Sequence, residues 1–422
     1  MKKVIWVLLL STAVLTACDN SKKETKNSST EASTEEVSKE STEESTEEST
    51  EETTAKSEKK SGAVPSLEER SEAMADYMGA EKSEELYRQT DPVVVSEGDL
   101  EISIDEYALN KLTNFDSNFK IPFGDETEEG GILLATFTIT NNSDKTLYYP
   151  STPDLTFTGA TKAYTNNKSV VKDDSDNIIS FTVREDGELP AGETVTKTAN
   201  YLFSKEALEE INKLGIVTMQ VPRGYTAPDT FKAEDAVGED QKIQLSVTSS
   251  GEKTAGDNAA FLQDKASIDN MGTKTLDKEK KNINETKDIK GFKATLSDYQ
   301  FTFFEPNEVE AQRFSSFENG VVLLTVKFDL DNQGKKGINM GSSASVLTVN
   351  NGSQRLLSEG MLVDYNSIKD IVQPGESGEL LQVFVLDQEQ YEKIWREKDF
   401  SIKLKLLDED FSSEEAEFDL PK

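Results

Sequence analysis

From residue 93 onward, long stretches of the chain alternate between apolar and polar positions. Leu133, Ala135, Phe137 and Ile139 form one such series, and Val322, Leu324, Val326, Phe328 and Leu330 form a second. In a third, Phe400, Ile402, Leu404 and Leu406 take one side while Ser401, Lys403 and Lys405 take the other. A period of two sends successive side chains to opposite faces, so these stretches predict half-buried antiparallel strands. The segments "NNSDK" and "DNQGK" that follow the first two series carry turn chemistry. Two stretches break the alternation, Lys205–Lys213 and Gln388–Glu397. Each predicts a short helix, with Ser204 and Asp387 at the N-cap positions.

The alternation occurs twice because the sequence repeats itself. "GGILLATFTITNNSDKT" (130–146) matches "NGVVLLTVKFDLDNQGKK" (319–336), aligning Thr136 with Thr325 at an offset of 189. Upstream, "ISIDEYAL" and "ATLSDYQF" place Tyr107 opposite Tyr299. Downstream the offset is 183, pairing Gly192 and Glu193 with Gly375 and Glu376, and Ile211 with Ile394. Offsets that drift only between blocks are what loop insertions produce in a duplicated domain. The expected fold class is mainly β: two tandem antiparallel β-sandwiches, each with one short crossover helix.

The rest of the chain reads as connection. Residues 63–92 predict a helical lead-in. Ser66 and Glu69 form a capping-box pattern, Leu67, Met74 and Tyr77 supply apolar positions, and "SEELYRQ", with Leu86 and Tyr87, adds a further turn or two before Asp91-Pro92. The first sandwich is expected over 93–249 and the second over 288–422. Residues 250–287, rich in Lys, Asp, Asn and Gly, read as a polar linker in which "NAAFLQ" forms at most one helical turn. Residues 18–62 are almost entirely Ser, Thr, Glu and Lys, with "STEE" at 33–36, 41–44, 45–48 and 49–52. No apolar period exists there to build a core, so a disordered stalk is expected. A flexible chain of that length has an r.m.s. span on the order of 35–40 Å. Modification or docking on its Ser/Thr residues is the alternative.

Residues 1–17 carry Lys2 and Lys3 followed by "VIWVLLLSTAV", an apolar run too short to span a bilayer, which takes roughly 20 residues. It reads as a signal peptide. Cys18 is the only cysteine, and Leu15-Thr16-Ala17-Cys18 resembles the lipobox of bacterial lipoproteins. That resemblance implies cleavage before Cys18, a diacylglycerol on its sulfur and an acylated amino terminus. The lipid bilayer is then a partner through acylated Cys18, and two or more acyl chains suffice for stable anchoring. Fragments of such signal peptides, here Leu10–Ala17, act as peptide pheromones in some Gram-positive bacteria; ordinary signal debris is the plainer reading.

The strand ending in "TITNNSDK", the later "PAGE" turn and the signal-peptide cysteine together resemble the Ig-like, telokin-like domains of surface lipoproteins of low-GC Gram-positive bacteria. The function of those families is not established. The resemblance covers about 93–248 and 288–420. It implies a sandwich fold and residence on the extracellular face of the cell membrane, and it brings no catalytic residues.

Charge and composition narrow the function. The formal net charge is −34, and loss of Lys2 and Lys3 with the signal makes it two units more negative. Such a chain has no basic surface with which to displace counterions from phosphates, so nucleic acid is not an expected partner. The chain contains no histidine and no cysteine other than Cys18. Ser-His-Asp and Cys-His nucleophiles, and imidazole or thiolate metal sites, are therefore excluded. No phosphate-cradling glycine motif is present. "DLDNQG" (329–334) begins like a calcium loop with Asp329, Asp331 and Gly334, but its twelfth position is Met340 rather than Glu. "DDSDN" (173–177) is a second acidic turn. No pair of acids is marked for glycoside hydrolysis. No catalytic residue, cofactor or metal is expected.

Aromatic recognition remains. "YQFTFFEPN" (299–307), "LYYP" (147–150) and Trp395 concentrate large rings. Phe301 and Phe303 alternate, which favours the core. Tyr148 and Tyr149 are adjacent, so in a strand one of them faces outward, and this pair is the candidate contact. The expected function is a non-catalytic binding module engaging an envelope protein. The alternatives are a solute- or metal-capturing lipoprotein and, last, a carboxylate-based hydrolase.

Overall fold

A computed structural model describes residues 64–422 apart from 97, 229 and 366–369. The signal peptide, Cys18 and the stalk lie outside the described residues. The first half contains α1 (Leu67–Met78), β1 (Lys82–Gln89), β2 (Val93–Ser96), β3 (Leu100–Thr113), β4 (Glu129–Asn141), β5 (Leu147–Tyr148), β6 (Asp154–Thr156), β7 (Tyr164–Thr165), α2 (Ile178–Arg184), β8 (Glu188–Leu189), β9 (Thr194–Ser204), α3 (Lys205–Leu214), β10 (Ile216–Val221), β11 (Gly224–Tyr225), β12 (Ala236–Val237) and β13 (Gln241–Ser246). The second half contains α4 (Ser249–Ala259), α5 (Lys265–Ile268), β14 (Gly272–Lys280), β15 (Glu285–Ile289), β16 (Phe292–Pro306), β17 (Val321–Asn332), β18 (Ile338–Val349), β19 (Gln354–Leu357), β20 (Ile371–Val372) and β21 (Ser377–Asp387). It ends with α6 (Gln388–Gln390), which runs into a π-turn over Tyr391–Trp395, and then β22 (Phe400–Asp408) and β23 (Ser413–Leu420).

Each half is an antiparallel β-sandwich. In lobe 1 the main sheet runs β1-β3-β4-β9, with β2 also on β3, and faces sheets ordered β13-β10-β6-β7 and β12-β11-β5-β8. In lobe 2 the main sheet runs β14-β16-β17-β21, with β15 also on β16, and faces β19-β18-β22-β23, with β20 on β18. The alternating residues fill the two cores. Leu133, Ala135, Phe137 and Ile139 are wholly buried in one, and Val322, Leu324, Val326 and Phe328 in the other. On β22, Phe400, Ile402, Leu404 and Leu406 point inward, as their spacing requires.

The outer face of each main sheet is covered too, which is why Ile132, Leu134 and Leu323 are also buried. Over lobe 1 lies α1, started by the Ser66/Glu69 capping box and stopped by Gly79 at φ 65°. Leu67, Arg70, Met74 and Met78 make its buried stripe, whereas Tyr77 stays exposed and meets Phe119 edge-on. The guanidinium of Arg70 donates to Ala135 O, Thr136 Oγ1, Ala199 O and Asn200 Oδ1 at 3.1–3.2 Å. Burial lowers its pKa to about 10 against the pull of Glu106 and Asp176.

Four expectations are corrected. "SEELYRQ" is not a continuation of the lead-in helix. It is β1, paired with β3 from Lys82↔Thr113 to Gln89↔Tyr107, because pairing outweighs local helix propensity. The stretch 250–287 is not a linker, since it supplies α4, α5 and two strands of the lobe 2 sheet. Lobe 1 has a second helix, α2, capped by Asn177 out of "DDSDN". The strand offset is 191 rather than 189. Asn141 Nδ2 donates to Lys145 O and Leu189 O, both at 2.7 Å, and Asn332 Nδ2 donates to Lys336 O and Val372 O, also at 2.7 Å. Tyr107, opposite Ala135, and Tyr299, opposite Val326, agree with that register. Their hydroxyls donate to Ser246 O (2.9 Å) and Pro421 O (2.5 Å), tying each main sheet to its last strand.

The described residues form one compact unit. The turn after α5 presents its carbonyls to lobe 1. Thr218 Oγ1 donates to Ile268 O at 3.0 Å, Gln244 Nε2 donates to Ile268 O at 2.7 Å, and Thr158 Oγ1 donates to Asn270 O at 3.1 Å. Helix α4 starts hard against the end of α3, where a Cβ on Gly251 would lie 1.8 Å from Gly215 O. Lys213–Glu308 (3.1 Å), Arg223–Asp370 (3.7 Å) and Lys242–Asp364 add ion pairs between the lobes.

Candidate functional site

The candidate pair is split by the fold. Tyr148 is half-buried in β5, opposite Tyr225 of β11 and Glu188 of β8. Tyr149 is wholly buried in the lobe 1 core, and its hydroxyl has no hydrogen-bond partner. Burial, with Asp240 nearby, pushes that phenol far up. Tyr149 is therefore core, and only Tyr148 is placed to meet another molecule. The acidic turns are likewise occupied. Asp174 pairs with Lys168 and Arg184, and Asp173 accepts the Ser175 N–H. Asp329 and Asp331 lie on β17, apart from Gly334 in the following turn. Among the described residues no three His, Cys, Asp or Glu side chains converge to hold a metal ion.

The other aromatic stretch, "YQFTFFEPN", builds a concavity. β16 pairs Thr275 with Phe303 and Thr273 with Glu305 on one side, and Phe304 with Val321 on the other. Adjacent residues of a strand point to opposite faces, so Phe303 and Phe304 wrap the end of the sheet. Phe301 is core, stacked on Tyr391 with ring centroids 5.2 Å apart, while Phe303 is half-buried against Tyr391 at 6.4 Å. The turn over 311–317 swings Phe314 onto Phe304, 5.1 Å apart and edge-to-face, and brings the half-buried Phe317 alongside. The four rings Phe303, Phe304, Phe314 and Phe317 line a groove of about 450 Å³ whose rim includes Thr273, Thr275 and Glu305. Apolar rings with a few polar rim atoms suit an inserted apolar side chain. The sequence pointed to this stretch and favoured the core for Phe303, which packs half-buried against the lobe 2 core while also lining the groove.

Two clefts lie between the lobes. One, about 570 Å³, contains Arg223, Asp240, Asp364, Asp370 and Tyr365. Its charges bridge the lobes through Arg223 and Lys242, and the Tyr365 hydroxyl accepts from Leu381 N (2.7 Å) and donates to Glu379 O (3.2 Å). The other, about 310 Å³, contains Asp269, Glu310, Lys265 and Arg313. Burial raises the pKa of Asp269 despite Lys242 and Lys265. Glu310 pairs with Arg313 at 2.6 Å. No signal in the sequence marked these clefts, because their residues come from segments far apart in the chain.

Comparison with known proteins places the first lobe. Residues 50–248 match the family model of a domain of unknown function, DUF5068. The match ends at Thr248, the N-cap of α4 and the border between the lobes. No curated protein matches the chain. A functionally unknown protein from Listeria monocytogenes EGD-e is similar at 14% identity, covering 42% of this chain and 93% of that one, with a TM-score of 0.33. An uncharacterised β-sandwich protein from Clostridium difficile 630 is 12% identical over 35% of this chain and 99% of its own, TM-score 0.23. A conserved hypothetical protein from Bacillus anthracis is 16% identical over 33% and 97%, TM-score 0.22.

Proposed function

We propose that this chain is a lipoprotein, acylated at Cys18 and held on the extracellular face of the cell membrane. There it presents its two lobes as a non-catalytic module for engaging another envelope protein. The observation that carries this reading is the phenylalanine groove at the end of the lobe 2 sheet, an open apolar site on a scaffold locked between lobes. A contact face gains from such pre-organisation, because little ordering is left to the moment of binding. Tyr148 on lobe 1 is a secondary contact. Solute capture ranks second: the larger inter-lobe cleft has the volume for it, but its charged groups pair across the lobes.

Two measurements test this. Cells fed an alkyne-bearing fatty acid should label the wild-type chain and not Cys18→Ala, which should appear in the medium. In the second, the chain is cross-linked on intact cells and the captured partner is compared between wild type and Phe317→Glu. Loss of the partner in the variant supports the groove. Equal capture by both removes the groove from this function.

A further inference from the structure

We propose that the partner engages by strand addition: an extended segment, apolar at alternate positions and flanked by Lys or Arg, pairs with the outer edge of β14 and sets an aromatic or branched side chain into the phenylalanine groove. This rests on the groove being the contact face. β14 ends the main sheet of lobe 2. Among the described residues, the backbone of Thr273–Lys280 bonds to no element other than β16. Such an edge is a template for another strand, and proteins usually blunt it with charge.

The repeat supplies the comparison. Matching bulges, at Glu85/Tyr87 against β3 and at Leu276/Lys278 against β16, align β1 with β14. Lys82, Glu84 and Glu85 then correspond to Thr273, Thr275 and Leu276. The lobe 1 edge is charged at all three positions. The lobe 2 edge is uncharged at these three and charged only beyond them, from Asp277 to Lys280, and Leu276 is 43% exposed.

Edge and groove are continuous, since Thr273 and Thr275 belong to both. Strand addition draws affinity from main-chain bonds and specificity from a pocket for alternate side chains, and both parts are present here.

Charge selects the flanks. Glu305 on the groove rim and Glu318 beside Phe317 are exposed and in no ion pair among the described residues. With a net charge of −34, a second copy of the chain is repelled and a basic segment attracted.

The test uses the full chain and labelled heptapeptides of the pattern Lys-Val-Thr-X-Thr-Val-Lys, with X as Phe, Ile or Ser, read by fluorescence anisotropy. Saturable binding is expected for Phe and Ile, at least about tenfold weaker for Ser. Leu276→Lys, a surface change, and Leu276→Pro, which removes an outward edge N–H, should each weaken the Phe peptide by a similar factor with the melting temperature of Leu276→Lys unchanged. N-methylation of alternate amides on the pairing edge should abolish binding. Undiminished binding of the N-methylated peptide overturns strand addition while leaving the groove as a contact. No saturation by any peptide overturns this proposal, and the capture experiment with Phe317→Glu then decides separately whether the groove is a contact face. Dimerisation of the chain that Leu276→Lys abolishes also overturns it, by showing that the edge serves a second copy.

Discussion

Lys274 Nζ lies 2.6 Å from both carboxylate oxygens of Asp264, and the two side chains are 2% and 0% exposed. The carboxylate also accepts the Ser267 N–H (3.0 Å) and the Thr325 hydroxyl (2.5 Å), and Lys274 donates to Ser267 Oγ (2.7 Å). This cluster pins α5 to the outer face of the lobe 2 sheet, as Arg70 pins α1 to that of lobe 1. A buried pair is costly to break and not costly to replace. Lys274→Met alone should therefore destabilise by about 3–5 kcal/mol, because it strands a buried carboxylate. The double variant Lys274→Met/Asp264→Leu should recover most of that loss. Urea unfolding of the two single variants and the double completes the cycle. Additive effects would show that the two groups act independently.

Helix α4, which leads from lobe 1 into lobe 2, docks on lobe 1 at Gly251. The position of Gly251 against Gly215 O leaves no room for a side chain, so Gly251→Ala must shift the start of α4. Overpacking of this kind costs about 1–3 kcal/mol, and here it falls on the contact that docks α4 against α3. Limited proteolysis should cut the variant near 249–260 while the wild type resists. A variant as resistant as wild type would show that the α5 carbonyls and the inter-lobe ion pairs hold the lobes without this contact.

Two of the buried lobe 1 tyrosines, Tyr149 and Tyr201, should behave oppositely. Tyr201 Oη donates to Pro153 O at 3.0 Å, whereas the Tyr149 hydroxyl is buried without a partner. Removing a satisfied hydroxyl loses its bond, about 0.5–1.5 kcal/mol, and removing an unsatisfied one relieves its desolvation. Tyr201→Phe should lower the melting temperature and Tyr149→Phe should leave it level or raise it. A drop for Tyr149→Phe would reveal a water or side chain bonded to that hydroxyl.

Which parts of the fold were legible follows from period and packing. The strands of both cores were readable because one face of each is buried and the other is not, as in β22. The strand register was misplaced by two because a period of two is blind to such a shift. Only the amide contacts of Asn141 and Asn332 fix it. β1 and β14 were missed because edge strands carry polar residues on both faces, and Lys274 is buried only through its ion pair. α4 escaped because it docks through glycine contacts and Asn258 rather than through an apolar stripe. Half of the groove was visible in "FTFF". The other half comes from Phe314 and Phe317 on a turn that no period marks.

The smaller inter-lobe cleft makes a pH-dependent prediction. Asp269 Oδ1 is buried without a hydrogen-bond partner, and Oδ2 is 3.8 Å from Lys265 Nζ. Burial raises its folded pKa above the ordinary 3.8, outweighing Lys242 and Lys265. A carboxyl with a raised folded pKa binds its proton more tightly in the folded state. It therefore costs stability above that pKa and stops costing it as pH falls through it. Asp269→Asn, uncharged at every pH, should be more stable than wild type at pH 7. That advantage should shrink as the pH is lowered toward 4. Thermal melts of both proteins at half-unit pH steps read this directly. An advantage that stays constant with pH would mean that the gain comes from a new amide contact and not from the lost charge. An Asn variant less stable at pH 7 would mean that attraction to Lys242 and Lys265 exceeds the burial cost, so that the folded pKa of Asp269 lies below the ordinary value and not above it.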